Sequence, residues 1–131
     1  MIKFLEIEDI TKILYLNDPD FERLFDCEVG EWVQFLSQHV DDENFFIMGE
    51  VIDTDLIGYL IAYFVPLPIC KGVSALYSKT MGLKSNKIIL EKLKKWGKVK
   101  GAASIDIITH NPVGHSVYGF KKKATMMTII L

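Results

Sequence analysis

Hydrophobic and polar positions change period several times along the chain, and each change marks an element. Residues 2–5 alternate weakly and predict an edge strand. Glu8 and Asp9 then precede a helical spacing of Ile10, Ile13 and Leu14, an acid-first order that suits a helix dipole. Asn17-Asp18-Pro19 breaks this helix and opens another, with Asp18 as its cap, Pro19 in its first turn, and Phe21, Leu24 and Phe25 on its buried side. Trp32, Phe35, Leu36 and Val40 recur at helical spacing and predict a helix over residues 31–39. This aromatic set reads as core packing in preference to the wall of an acceptor pocket.

Beyond the polar break Asp41-Asp42-Glu43-Asn44, the period shortens to that of strands. FFIMGEVI (45–52) and LIGYLIAYFV (56–65) flank Asp53-Thr54-Asp55, a turn of hairpin length, and so predict an antiparallel pair. Pro66, Pro68 and Gly72 mark a loop, and VSALYS (73–78) is a third strand, again antiparallel. A loop with one glycine follows, then a lysine-rich helix with Ile89, Leu90, Leu93 and Trp96 as its buried stripe. Ser85 or Asn86 is its expected cap, Gly97 its expected stop, and Glu91 with Lys95 a surface pair. Gly101 ends the next turn. Ala103, Ile105 and Ile107 then mark a strand that must run parallel to 73–78, because a βαβ unit crosses over right-handed. After His110-Asn111-Pro112 a short helix or turn carries Tyr118, and ATMMTIIL (124–131) is read as a last strand.

Composition narrows the class. The 131 residues make one domain, 1–131, able to bury about two-thirds of its unfolded surface. Half are hydrophobic and a quarter charged, which excludes disordered and fibrous classes. The apolar runs fall short of the roughly 20 residues of a membrane helix, and acids interrupt the N-terminus where a signal peptide would be apolar. A cytoplasmic protein without membrane contact is the expectation. Cys27 and Cys70 lack CxxC spacing and read as packing thiols. His110 and His115 flank a proline and a glycine and read as two unrelated turn histidines, so no metal is expected.

Charge is divided along the chain. Up to residue 60, fifteen acids face three bases; from 61 onward, twelve lysines face Glu91 and Asp106. Either the C-terminal half meets an anion and the N-terminal half a cation, or the halves attract each other and leave a solvated lysine face. The lysine patch lacks interleaved aromatics, which argues against nucleic acid.

One anion site is suggested directly. The start of the lysine-rich helix offers unpaired amides and a positive dipole end beside Lys84, Ser85, Asn86 and Lys87, with Gly82 allowing close backbone approach. Neither GxGxxG nor GxxxxGK[ST] is present. The order of elements, from strand, two helices and three antiparallel strands through loop, helix and parallel strand to helix and last strand, resembles the GNAT acetyltransferase superfamily. Aligning the helix on Ile89, Leu90, Leu93 and Trp96 lays that family's pyrophosphate loop, [Q/R]xxGxG/A, on residues 81–86, where Gly82 matches. Asn111 and Tyr118 have the family's separation of seven, although Gly119-Phe120 follows the tyrosine directly.

The resemblance implies an α+β, GNAT-like acyl-CoA N-acyltransferase fold: a mixed, mostly antiparallel sheet flanked by helices. It implies acetyl-CoA as cosubstrate, held by Ser78, Met81, Gly82, Lys84, Ser85, Asn86, Lys87 and Asn111, and transfer of acetyl to an amine of unspecified identity. It makes Tyr118 the acid that protonates the leaving thiolate, a role for which a phenol has suitable acidity. No acid lies in strand 73–78, so Glu50, in an apolar strand, is the candidate base. The other reading is a catalytically inactive GNAT-like module, binding or structural, in a larger assembly. A homodimer is left open.

Overall fold

Five strands form one sheet in the order β1-β2-β3-β4-β5: β1 (Ile2–Phe4), β2 (Phe45–Ile52), β3 (Asp55–Leu67), β4 (Cys70–Lys79) and β5 (Ser104–Ile107). The first four run antiparallel and β5 lies parallel to β4, as the βαβ reading requires. The computed structural model describes all residues except 20, 22–24, 69, 80, 109–111 and 126, and the side chains of residues 70, 112 and 113. Leu24, His110 and Asn111 therefore lie outside the described residues.

The two faces of the sheet are sorted by alternation within the strands. On one face, Ile47, Val51, Tyr59 and Ile61 pack beneath α1 (Ile7–Thr11), a 3-10 turn (Lys12–Tyr15) and α2 (Val29–Gln38), which contribute Ile10, Ile13, Val33 and Leu36. On the other, Phe46, Met48, Ala62 and Val73 meet Ile89, Leu90 and Leu93 of α3 (Leu83–Lys100). A short α4 (Pro112–Ser116) follows β5. Among the described residues no helix is long and apolar enough to cross a membrane.

Local chemistry sets the element ends. Ile52 faces Asp55 across a two-residue turn, where Asp53 takes a φ of 57°, a left-handed conformation that aspartate tolerates. Glu28 precedes α2, and its amide donates to the Glu31 carboxylate at 3.2 Å. Phe21 N–H donates to the Asp18 carbonyl at 3.2 Å, so the chain turns after Asp18 as the Asp-Pro signal predicts.

Four expectations are corrected. First, α3 does not stop at Gly97; it continues to Lys100 and is capped by Gly101 at φ 83°. Gly97 is buried instead, and a Cβ there would sit 3.2 Å from Val73 Cγ2, so this glycine marks close helix-to-sheet contact rather than an end. Second, the β3–β4 hairpin extends past Pro66, which pairs with Lys71, to Leu67 opposite Cys70. Third, Glu91 pairs with Lys94 at 2.9 Å and not with Lys95; both spacings bring side chains together on a helix. Fourth, the described residues of 124–131 are not in a strand. The described part of this run is exposed and joins no ladder, since β propensity alone supplies no hydrogen-bonding partner.

One buried charge ties β1 to α1. Lys3 Nζ lies 3.0 Å from Asp9 Oδ2, which also accepts from the Glu6 amide at 3.0 Å. Burial pushes the Asp9 carboxyl upward, but the amide bond and the Lys3 ammonium outweigh it and hold it below its ordinary value. A carboxyl depressed in the folded state contributes stability above its unfolded pKa, and that contribution is lost as pH falls through the folded value. We therefore expect Asp9→Asn to be less stable than the native chain near neutrality, with the gap closing below about pH 4, as checked by thermal melts across pH.

Candidate functional site

The site begins with a defect in β4. In the β3–β4 ladder Ile61 faces Tyr77 and Ala62 faces Ala75, so Leu76 is an extra, bulged residue. On its other side β4 pairs with β5 only from Gly72 to Ala75, opposite Ser104 to Ile107. From Leu76 to Lys79 the β5-facing edge of β4 has no described strand beside it. Along that stretch the strand edge carries backbone amides and carbonyls that no described strand claims.

Beyond this stretch of β4 the chain enters α3. Gly82 has φ 93° and ψ 160°, a conformation suited to glycine alone. No side chain caps the helix; the first intrahelical bond is Asn86 N–H to the Gly82 carbonyl at 3.0 Å. The amides of Leu83, Lys84 and Ser85 precede that bond, and the first turn contains no acid. Lys84 and Lys87 are exposed there, while Ser85 and Asn86 are half-buried. The expected cap at Ser85 or Asn86 is thus corrected: both residues lie inside the helix, because the turn at Gly82 starts it at Leu83.

Asn86 connects this end of α3 to the segment after α4. Its Nδ2 donates to the Tyr118 hydroxyl at 3.2 Å, and its Oδ1 is buried without a partner. A phenol that accepts from an amide keeps its own O–H available to donate elsewhere. Tyr118 is held by its N–H to the His115 carbonyl at 3.1 Å, and its ring packs beside Phe120 against the α3-side core. Gly119, at φ 89°, turns the chain between these two aromatics.

The structure therefore brings Gly82, Lys84, Ser85, Asn86 and Lys87 together, and joins Asn86 to Tyr118. Met81, half-buried, packs on the same core, and Ser78 lies exposed in the unpaired stretch of β4. Asn111 is outside the described residues. Glu50 stands apart: it pairs with Ile2 and Gly58 in β2, two strands and so about 10 Å from β4, with Oε2 buried and unpartnered.

The opposite face of β4 carries residues that the sequence did not single out for chemistry. Tyr77 Oη donates to Asp18 Oδ2 at 2.5 Å, and Asp18 Oδ1 is buried without a partner. Phe21 and Phe25 stand edge-on to the Tyr77 ring, at 5.6 and 5.2 Å, and Tyr59 lies 5.8 Å away. Trp32 Nε1 donates to the Tyr59 hydroxyl at 3.2 Å. Burial drives the Tyr59 phenol far above its ordinary acidity range, so it stays neutral. Of the aromatics expected on buried faces, Phe21 is buried and Trp32 half-buried, but Phe25 and Phe35 are exposed; Phe21, Phe25 and Tyr59 surround Tyr77, which holds the carboxylate of Asp18. Asp18 reads in sequence as a helix cap; its link to Tyr77 spans 59 positions, which no local pattern encodes. Among the described residues no group of His, Cys, Asp and Glu could hold a metal ion.

No family model matches this chain, and no curated protein matches it. Solved structures do. The aminoglycoside 6'-N-acetyltransferase AAC(6')-IG from Acinetobacter haemolyticus superposes with a TM-score of 0.78 at 12% identity, over 100% of this chain and 97% of that one. The chain carries the GNAT fold. AAC(6')-Iy, solved with the bisubstrate analog CoA-S-monomethyl-acetylneamine, shares the fold at a TM-score of 0.74, 14% identity and coverage of 100% and 97%. Ribosomal-protein-alanine N-acetyltransferase from Brucella melitensis biovar Abortus 2308 does so at 0.66, 13% and coverage of 100% and 96%. In this chain the bulge of β4, the end of its pairing with β5 and the glycine-started α3 follow one another along the chain or the sheet.

Proposed function

We propose that the protein is an N-acetyltransferase that moves acetyl from acetyl-CoA to an amine. The observation that carries this reading is the stretch of β4 beyond Ala75 that no described strand joins, followed along the chain by an uncapped, positively charged helix start whose Asn86 is linked to Tyr118. Several structural neighbours are N-acetyltransferases, and one was solved with a CoA-containing bisubstrate analog.

The residues present suit such a ligand. Amides of Leu83, Lys84 and Ser85 and the ammonium groups of Lys84 and Lys87 hold pyrophosphate. The free edge of β4 at residues 76–79, Ser78 included, hydrogen-bonds the thioester arm and its carbonyl, and Met81 packs against it; Asn111 completes this set. Acyl transfer then rests on positioning and on amides directed at the carbonyl oxygen. The amine nitrogen forms a bond to the carbonyl carbon, the carbon–sulfur bond breaks, and Tyr118 donates its proton to the departing thiolate. The proton lost by the amine goes to water on the acidic side of the sheet; Glu50, two strands off, receives it only through intervening solvent, and Asp18 with Tyr77 is nearer to β4.

The test is ligand-dependent melting. With acetyl-CoA at about 100 times its dissociation constant, the fold gains about 2.7 kcal/mol, read as a rise in Tm. No rise at millimolar acetyl-CoA defeats the proposal. A rise without CoA release toward any amine leaves the non-catalytic binding module instead.

A further inference from the structure

Two of the three bases in the acidic half of the chain meet in one hollow. Up to residue 60 the bases are Lys3, Lys12 and Arg23. Lys3, from β1, and Lys12, from the 3-10 turn, line a hollow of about 490 Å³ together with Asp9 and the β2–β3 turn. It lies at the β1 edge of the sheet, three strands and so about 14 Å from β4, and is separate from the start of α3.

The buried charges of this hollow leave a cation in excess. Asp9 is 6% exposed, and its carboxylate is committed to Lys3 Nζ and the Glu6 amide, each at 3.0 Å. The Lys12 ammonium acts on the same carboxylate, so two cations share one buried anion. Asp53 lines the hollow from the exposed turn, where water screens it, and makes no ion pair among the described residues. Lys12 Nζ donates to the Thr54 carbonyl. An ammonium carries three N–H donors, so both lysines have donors beyond these bonds. The rest of the lining is apolar: Val51 is buried, while Ile52 and Met1 are 49 and 76% exposed. Exposed apolar side chains beside two ammonium groups match a ligand with an anionic head and an apolar body.

We infer that this hollow binds a small organic carboxylate with a short apolar body. The carboxylate takes charge-assisted hydrogen bonds from Lys3 and Lys12, and the body lies against Val51, Ile52 and Met1. The occupant bridges β1, the 3-10 turn and the β2–β3 hairpin. This site does not depend on the acetyl-CoA reading and stands if that reading fails.

Butyrate is the probe, titrated into the isotope-labelled full chain at constant ionic strength and followed by backbone amide NMR. Amides of Lys3, Lys12, Ile52, Asp53 and Thr54 should shift saturably at millimolar butyrate, and chloride should not move them. Acetate, two methylenes shorter, should bind about 10-fold more weakly. Lys12→Gln removes the charge but keeps a donor for the Thr54 carbonyl; it should weaken butyrate binding about 10-fold or more with an otherwise native spectrum. The acetate comparison uses the native chain alone, so it decides the matter even where the variant is destabilised. No saturable shift at these amides, shifts equal to those in chloride, equal binding of acetate and butyrate, or unchanged affinity in Lys12→Gln would each overturn the inference. Shifts confined to residues 83–87 would do so too, by placing the anion at the start of α3.

Discussion

Tyr118→Phe is expected to lower kcat by about 100- to 10,000-fold while leaving the acetyl-CoA melting shift nearly unchanged. The substitution removes one oxygen and keeps the ring, so the packing of Tyr118 beside Phe120 survives. What disappears is the proposed proton donor for the leaving sulfur, together with the acceptor for Asn86 Nδ2. Losing that hydrogen bond alone costs about 1 kcal/mol, roughly a factor of 5, so a drop beyond that factor reports proton transfer and not positioning. Asn86→Ala separates the two: it leaves the phenol in place and should lower kcat by the smaller factor. Steady-state CoA release with a panel of primary amines measures both variants. Equal kcat for native and Tyr118→Phe protein would remove Tyr118 from the chemistry.

Gly49→Ala should destabilise the fold severely. Gly49 sits in β2, opposite Lys3 on one side and Tyr59 on the other. A Cβ there would lie 2.5 Å from the Gly58 carbonyl oxygen, 3.1 Å from Leu5 Cδ2 and 3.2 Å from Tyr59 Cβ. The first of these is backbone and the third is the root of a fully buried side chain, so neither moves cheaply. Overpacking of this kind costs about 3 kcal/mol, which lowers Tm on the order of 10 °C in a domain of this size. Gly30→Ala is the control: it stands in exposed surroundings on α2 with nothing within 4 Å, and alanine favours helix. A thermal melt of Gly49→Ala within a degree or two of the native chain would contradict the packing described here.

How much of this could be read from the sequence depends on how local the cause was. The hairpin at Asp53-Thr54, the buried stripe of α3 and the parallel placement of β5 each follow from neighbouring residues, and each is found where the pattern put it. The starts and stops of α3 were misplaced because two glycines had to be told apart: Gly97 is required by contact with Val73, which is remote in sequence, and Gly101 by its backbone angle. Cap residues misled for a related reason, since Gly82 starts the helix through conformation and not through a side chain. The positively charged helix start was legible, being contiguous; the Asp18–Tyr77 and Asn86–Tyr118 contacts, 59 and 32 positions apart, were not. The last strand failed for a third reason: its residues are right for a strand, but strand-forming residues do not themselves choose a partner, and the described ones join no ladder.

The bulge at Leu76 works as a parity switch. Val73 points to the α3 side, so strict alternation would send Ala75 and then residue 77 to that side as well. Counting one residue twice reverses the assignment, and Tyr77 joins the aromatic face while Ser78 is turned toward α3. Deleting Leu76 would straighten the strand and leave both faces as they are, because Tyr77 would then follow Ala75 directly and take the opposite face. Drawing Leu76 into the ladder as an ordinary strand residue would instead exchange them, moving the phenol that holds Asp18 to the α3 side and the serine hydroxyl to the aromatic side. The extra position, and no change of residue type, thus decides which face each downstream side chain reaches.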